Sequence, residues 1–384
     1  MKILKSIIKW LLLISITVAV VVTVLWLLKS PTELAENSQS KARLEQANYM
    51  LEQMDLSIVD LERATPALGD FDGDSKRTLN GKIWFPKGES SGHPLIVYSH
   101  GFGGHHEESK HIAEYLVAQG YVVAAVNFPL STMRSPAKIP QLVDVVNQPG
   151  DVSAVIDRLL SLNNDPQSVI YQRIDPTKIG AMGLSLGGLT TALVSFHPDL
   201  MDKRIKAAVM MAPPLEAFSE QFYASNPKVT SLLMSGSMDR VVPEPANATA
   251  VKERNSKGWF ISLDKGTHMG FANAGNQLRL LQNPDNLGCV FMDMMLPKLD
   301  MPDRWDVVIP NTNGVLRAIE FSPPCPELPG DSMHGLKQQW LTRIAIGSFF
   351  DMTLQEGERA NSAKIFFVNT LSSENAEVRL TAPR

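Results

Sequence analysis

The stretch Gly183-Leu184-Ser185-Leu186-Gly187 decides how this chain is read. It follows a short apolar run, Lys178 to Met182, and precedes a helix-forming run, Gly188 to His197. That is the strand–turn–helix context of a nucleophile elbow. Such an elbow forces its serine into a strained backbone conformation, so bulky residues two positions to either side would collide. Gly183 and Gly187 stand at those positions, and Gly188 lets the following helix pack closely. A G-x-S-x-G pentapeptide also occurs in ordinary loops, so the reading depends on three further segments.

The first is Pro94-Leu95-Ile96-Val97-Tyr98-Ser99-His100-Gly101-Phe102-Gly103-Gly104, a β-branched and aromatic run entering a Gly-rich turn. A turn of this kind aims a backbone N–H at a developing oxyanion, so the amides of Phe102 and Leu186 are the expected oxyanion hole. The second is Ser231 to Asp239, an apolar strand ending in a turn that carries an acid. The third is Trp259 to Leu263, leading to Gly266-Thr267-His268-Met269-Gly270. Each candidate stands just past the C-terminal end of an expected strand, where open α/β sheets build their sites. The predicted triad is therefore Ser185, Asp239 and His268. Asp264 is the rival acid, but it lies only four residues before His268 on the same turn and is poorly placed to reach back.

The tracts Y-S-H-G-F-G-G, G-L-S-L-G-G, G-S-M-D and G-T-H resemble the α/β-hydrolase superfamily. The nearest branch is that of dienelactone-hydrolase-like and platelet-activating-factor-acetylhydrolase-like esterases, with polyesterases and cutinases as cousins. The chain order Ser, Asp, His is also theirs, unlike that of chymotrypsin or subtilisin. The resemblance runs from about Asn80 to Phe271, with a final core helix expected over His334 to Leu354. It implies an α/β-hydrolase fold: a mostly parallel central sheet with helices on both faces. Dienelactone hydrolases themselves use a cysteine where position 185 is serine, so the implied chemistry is general ester hydrolysis.

Ser185 Oγ is a poor nucleophile until an imidazole removes its proton, which makes His268 the expected general base and Asp239 its orienting partner. The activity expected is that of a serine carboxylic-ester hydrolase acting through an acyl-serine on a small-molecule or lipid ester. A serine peptidase or amidase with the same triad, and a non-catalytic binding protein that kept the fold, are the alternatives.

Residues Trp10 to Leu28 carry no charge and would span about 28 Å as a helix, close to the roughly 30 Å of a bilayer's hydrocarbon core. Lys2, Lys5 and Lys9 precede the run. By the positive-inside rule this reads as a single-pass transmembrane signal-anchor, with a cytoplasmic N-terminus and a periplasmic or extracellular catalytic domain. A cleaved signal peptide is the rival reading, although the run is long and no clean cleavage site follows it. The expected division is anchor 1–29, stalk or linker 30–65, catalytic domain 66–358 with an insertion at 274–333, and a C-terminal tail 359–384. The stalk reads either as a partly amphipathic helix or as a flexible linker.

Elsewhere, Thr78 to Phe85, Leu95 to Ser99, Tyr121 to Phe128 and Ile205 to Met211 read as strands, and Ile112 to Ala118 and Asp151 to Leu160 as helices. Asp151 follows Pro149-Gly150 as a capping acid. Ile365 to Val368 reads as a short strand-like piece.

The 384 residues carry a net charge of −4 with no basic block, which argues against nucleic-acid binding. No nucleotide-binding motif is present, so no cofactor is expected. His106 and His111 are five apart, not the four a zincin helix needs, and no metal site is expected. The two cysteines, Cys289 and Cys325, suit a disulfide in an exported domain, two unpaired thiols being the alternative. They lie in the insertion with the Met-rich run Val290 to Leu296, which reads either as a lid or acyl-pocket wall, or as simple packing onto the core. Oligomeric state and acyl preference are not encoded in any motif.

Overall fold

The computed structural model describes residues 2–88, 91–296, 309, 314–316 and 322–384. Its strands are β1 (Leu51–Asp60), β2 (Arg77–Pro86), β3 (His93–Ser99), β4 (Val122–Asn127), β5 (Ile174–Leu184), β6 (Ile205–Met211), β7 (Thr230–Gly236), β8 (Trp259–Leu263) and β9 (Val378–Thr381). The α-helices among the described residues are α1 (Lys2–Leu28), α2 (Gln39–Glu45), α3 (Lys110–Ala118), α4 (Gln148–Asn164), α5 (Leu186–Phe196), α6 (Glu220–Ala224), α7 (Ala250–Arg254), α8 (Asn273–Gln277), α9 (Asp285–Met295), α10 (Gly335–Leu354), α11 (Gly357–Ile365) and α12 (Leu371–Glu374).

The strands form one sheet in the order β1-β2-β4-β3-β5-β6-β7-β8-β9. From β4 to β8 the pairs are parallel, whereas β1, β2 and β9 join antiparallel at the two flanks. Strand β3 is buried along its whole length, which is why its sequence is apolar on both faces instead of alternating. Ile96 and Tyr98 face a core shared with α3 and α10. Leu95 and Val97 face the opposite core, shared with α4. A third cluster packs α5 against β6 and β7. The expected sheet covered on both faces is thus observed.

Three readings are corrected. The segment expected as a stalk contributes β1, whose Met54, Leu56 and Ile58 pack onto the α4 core with the two-residue period of a strand. Ile365 to Val368 is helical, Ile365 closing α11 and Phe366–Thr370 continuing as a π-turn, with Phe366 and Phe367 buried. The strand of that region is β9, so the tail completes the sheet. Asp151 is not a cap: it lies inside α4, fully buried, and pairs with Arg77 (2.6 Å) and Arg63 (2.9 Å). Burial pushes its carboxyl up against the pull of the two guanidinium groups, and Arg77 is held firmly protonated between Asp151 and Asp144.

The apolar N-terminal run forms the expected helix, whose span Ile7–Leu28 has a mean hydropathy of 2.9 and no buried residue in its most apolar window. Within the expected 274–333 insertion, positions 297–308, 310–313 and 317–321 lie outside the described residues. The described part holds α8, α9 and a bond joining Cys289 to Cys325, with Cα atoms 5.6 Å apart.

Candidate active site

The chain leaves β5 and enters α5 through Ser185, which takes φ +56° and ψ −121°, a region an L-residue occupies only when its surroundings impose it. The Ser185 amide donates to Met211 O at 2.8 Å and its carbonyl accepts from Leu189 N at 3.0 Å, so the strained residue is held on both sides. A Cβ at Gly183 would strike Gly187 O, and one at Gly187 would strike Ser99 O. The two glycines are required because three stretches of backbone meet beneath the serine.

Asp239 follows β7 and is almost fully buried. Its Oδ1 accepts from Val242 N (2.7 Å), and its Oδ2 lies 2.8 Å from His268 Nδ1. With Nδ1–H donating to that carboxylate, the neutral imidazole carries its lone pair on Nε2. Burial works against the charged form of His268, but the Asp239 carboxylate and the hydrogen bond to it outweigh that, and the pKa is raised above the ordinary histidine value. Asp264, the rival acid, pairs instead with Arg379.

Ser185 and His268 line the same two adjoining cavities, one of about 720 Å³ and one of about 310 Å³. The larger has a polar wing with Glu107, Glu108, Lys110, Asn273 and Gln277. The smaller is walled by Leu142, Leu186, Pro214, Val242, Met292 and Leu296. Phe102, Gly288 and Phe291 border both, the two rings 6.0 Å apart between centroids. Helix α9 therefore supplies one wall of the cleft.

The amides of Phe102 and Leu186 have no hydrogen-bond acceptor among the described residues. The turn that carries Phe102 is fixed from behind. His100 Nδ1–H donates to Gly101 O (2.8 Å) while its Nε2 accepts from Phe128 N (3.0 Å). Burial lowers the His100 pKa to about 4, so this ring stays neutral. Glu108 Oε1 accepts from Gly101 N and from Tyr98 Oη, both at 2.6 Å.

Two carboxyls at this site have no counterpart in the sequence reading. Glu108 lies in the polar run between His106 and His111, whose spacing speaks only to metal binding; burial pushes it up to about 7. Asp285, the first residue of α9, accepts from His268 N (2.9 Å), Met269 N (2.8 Å) and Arg240 N (3.1 Å). Burial, with the nearby Asp239 charge, raises it to about 6. An acid opening a helix reads as a cap, and nothing in its spacing shows that it braces the histidine turn 17 residues upstream.

A family model described as PET hydrolase-like matches residues 73–311, more than half of the chain. Among curated proteins the chain is similar to cutinase 2 of Thermobifida cellulosilytica, 25% identical over 193 residues that cover 49% of this chain and 64% of that protein. It is also similar to cutinase cut1 of Thermobifida fusca, 25% identical over 193 residues covering 49% and 53%. Cutinase est2 of Thermobifida alba matches at 28% over 134 residues, 35% of this chain and 38% of the relative. The chain thus spans less than two thirds of the length of each. The superfamily expected from the sequence is the one found, and within it the matched model is that of the polyesterase cousins: the chain belongs to the PET hydrolase-like family of α/β-hydrolases.

Proposed function

We propose that this protein is a serine carboxylic-ester hydrolase held at a membrane by its N-terminal helix. The observation that carries the reading is a strained serine sharing a cavity with an imidazole whose other nitrogen is 2.8 Å from a buried carboxylate. In the reaction, His268 Nε2 takes the proton of Ser185 Oγ as the oxygen attacks the ester carbonyl carbon. Asp239 holds the imidazole tautomer and stabilises the imidazolium. The free amides of Phe102 and Leu186 receive the oxyanion; losing one such donor costs roughly 3 kcal/mol of transition-state stabilisation. The alcohol leaves with the proton from His268. Water, deprotonated by the same imidazole, then attacks the acyl-serine and releases the acid.

Gly288, Phe291 and Met292 make α9 a wall of the acyl pocket, in keeping with a role for the insertion in acyl selection. The anchor reading draws on the exposed apolar span Ile7–Leu28 and the lysines before it. It places the N-terminus in the cytoplasm and the catalytic unit across the membrane.

The test is fluorophosphonate labelling with turnover of p-nitrophenyl esters from acetate to palmitate. Ser185→Ala should lose the label and drop kcat by roughly 10⁴ or more while far-UV dichroism stays native. Undiminished turnover in that variant ends the assignment.

A further inference from the structure

We propose that the outer face of α9 rests on the surface of the bilayer that holds the anchor, so that the cleft takes its esters from amphiphiles resident in that membrane. The inference builds on the ester-hydrolase and anchor readings and adds a docking surface and a substrate class.

Helix α9 carries more apolar residues than its packing uses. Asp285 and Cys289 are buried beneath it, and Gly288, Phe291 and Met292 face the cleft. Val290 and Met294, spaced so that they fall on one side of the helix, remain 54% and 53% exposed; Leu287, 48% exposed, continues their row to the rim of the cleft, which it also lines, and Leu281 just before the helix is 38% exposed. Solitary exposed apolar residues are ordinary, but a row of them along one helix beside a cleft marks a surface that another phase covers.

The position of the row says which phase. The Arg279 guanidinium stacks over the Trp26 ring, 3.2 Å from its centroid, at the C-terminal end of α1. His334 Nε2 donates to Lys29 O (3.0 Å) and Lys337 Nζ to Thr32 O (3.3 Å). Tryptophan and basic side chains favour the headgroup layer, so these contacts bring the 279–284 turn to membrane level. Lys29, Leu281 and Pro284 line one small cavity, and α9 begins at the next residue. On its other side the same stretch of chain, through Asn273, Gln277 and Leu278, lines the cleft that holds Ser185. Anchor exit, apolar helix face and cleft therefore follow one another within a single turn-rich segment. An ester lodged in the outer leaflet reaches the serine without first crossing bulk water. The chemistry is the hydrolysis described above, ester plus water giving acid plus alcohol.

The test uses the full chain reconstituted in vesicles of phosphatidylcholine and phosphatidylglycerol, and the triple substitution L281E/V290E/M294E, none of whose positions lines the cleft. Two rates are read: a water-soluble p-nitrophenyl butyrate, and a long-chain fluorogenic acylglycerol dissolved in the vesicles. The expected result is a soluble-ester kcat/KM within twofold of wild type and a vesicle-ester rate at least tenfold lower. Should the triple variant misfold, Val290→Lys alone should lower the vesicle rate severalfold with the soluble rate intact. Equal vesicle rates in wild type and variants overturn the inference, and a variant that merely dissociates a dimer assigns the face to a second copy of the chain. Wild-type protein inert toward the soluble ester removes the hydrolase reading, and protein washed off membranes by alkaline carbonate removes the anchor reading, each recognisable apart from failure of the docking surface.

Discussion

In the proposed reaction, proton transfer from Ser185 depends on one imidazole being neutral. Because Asp239 holds the His268 pKa above its ordinary value, the acid limb of kcat/KM should be centred above about 6.5, activity falling as pH drops through it. A pH–rate profile on a soluble ester checks this, and a limb centred near 4.5 would contradict it. Asp285 should matter almost as much without touching substrate. Asp285→Ala leaves the amides of His268, Met269 and Arg240 without their acceptor. At roughly 1–3 kcal/mol per unsatisfied buried group, unfolding should become easier by about 2 kcal/mol or more, and kcat should fall more than KM rises. Urea titration with steady-state kinetics measures both. The sequence points to Ser185, Asp239 and His268 as candidates through their order and strand-end positions, and the structure sets Ser185 and His268 on one cleft with Asp239 Oδ2 2.8 Å from His268 Nδ1. The sequence hides Glu108 and Asp285, because a carboxyl acquires its bracing role only when distant backbone amides are folded onto it.

Elements were legible where a single period governed them. The runs of β3, β4 and β6 are mostly apolar, and their expected bounds lie within a residue or two of the observed ones. The edge strand β1 was missed because its two-residue alternation is short and sits among charges, while a weaker helical spacing overlaps it. Asp151 was misread because a Pro-Gly pair looks like a helix start, whereas α4 begins earlier, at Gln148, and the carboxylate turns inward to Arg77. That inward turn ties α4 to β2 and carries a consequence. Asp151→Ala leaves the fully buried Arg77 with Asp144 alone and should destabilise by roughly 3–5 kcal/mol, read from denaturant midpoints. Esterase activity measured on the still-folded fraction should change little, since no member of this ion cluster lines the cleft.

Across the molecule, the bridge between Cys289 and Cys325 pins the insertion beside the acid turn, where Arg240 donates to Pro326 O (2.7 Å) and accepts from Cys325 N. Closing a loop of 36-residue separation is worth on the order of 4 kcal/mol in the chain-entropy model. The double Cys→Ser variant should therefore unfold at lower denaturant by up to about that amount, and an unchanged midpoint would show that the loop is constrained by other contacts. The fold class is readable from strand–helix alternation, but the pairing of β9 with β8 is not, since a pairing that spans everything from α8 to α12 leaves no local trace. One core face draws on residues from Leu34 to Val378 and is roofed largely by α10 and the Phe366–Phe367 pair. A nascent polypeptide extended only as far as Leu263 has produced eight of the nine strands, yet that roof is still unmade. The sheet can be sealed only once the ribosome has passed Phe367 and Val378, and in that interval the strands already made stay open to chaperones.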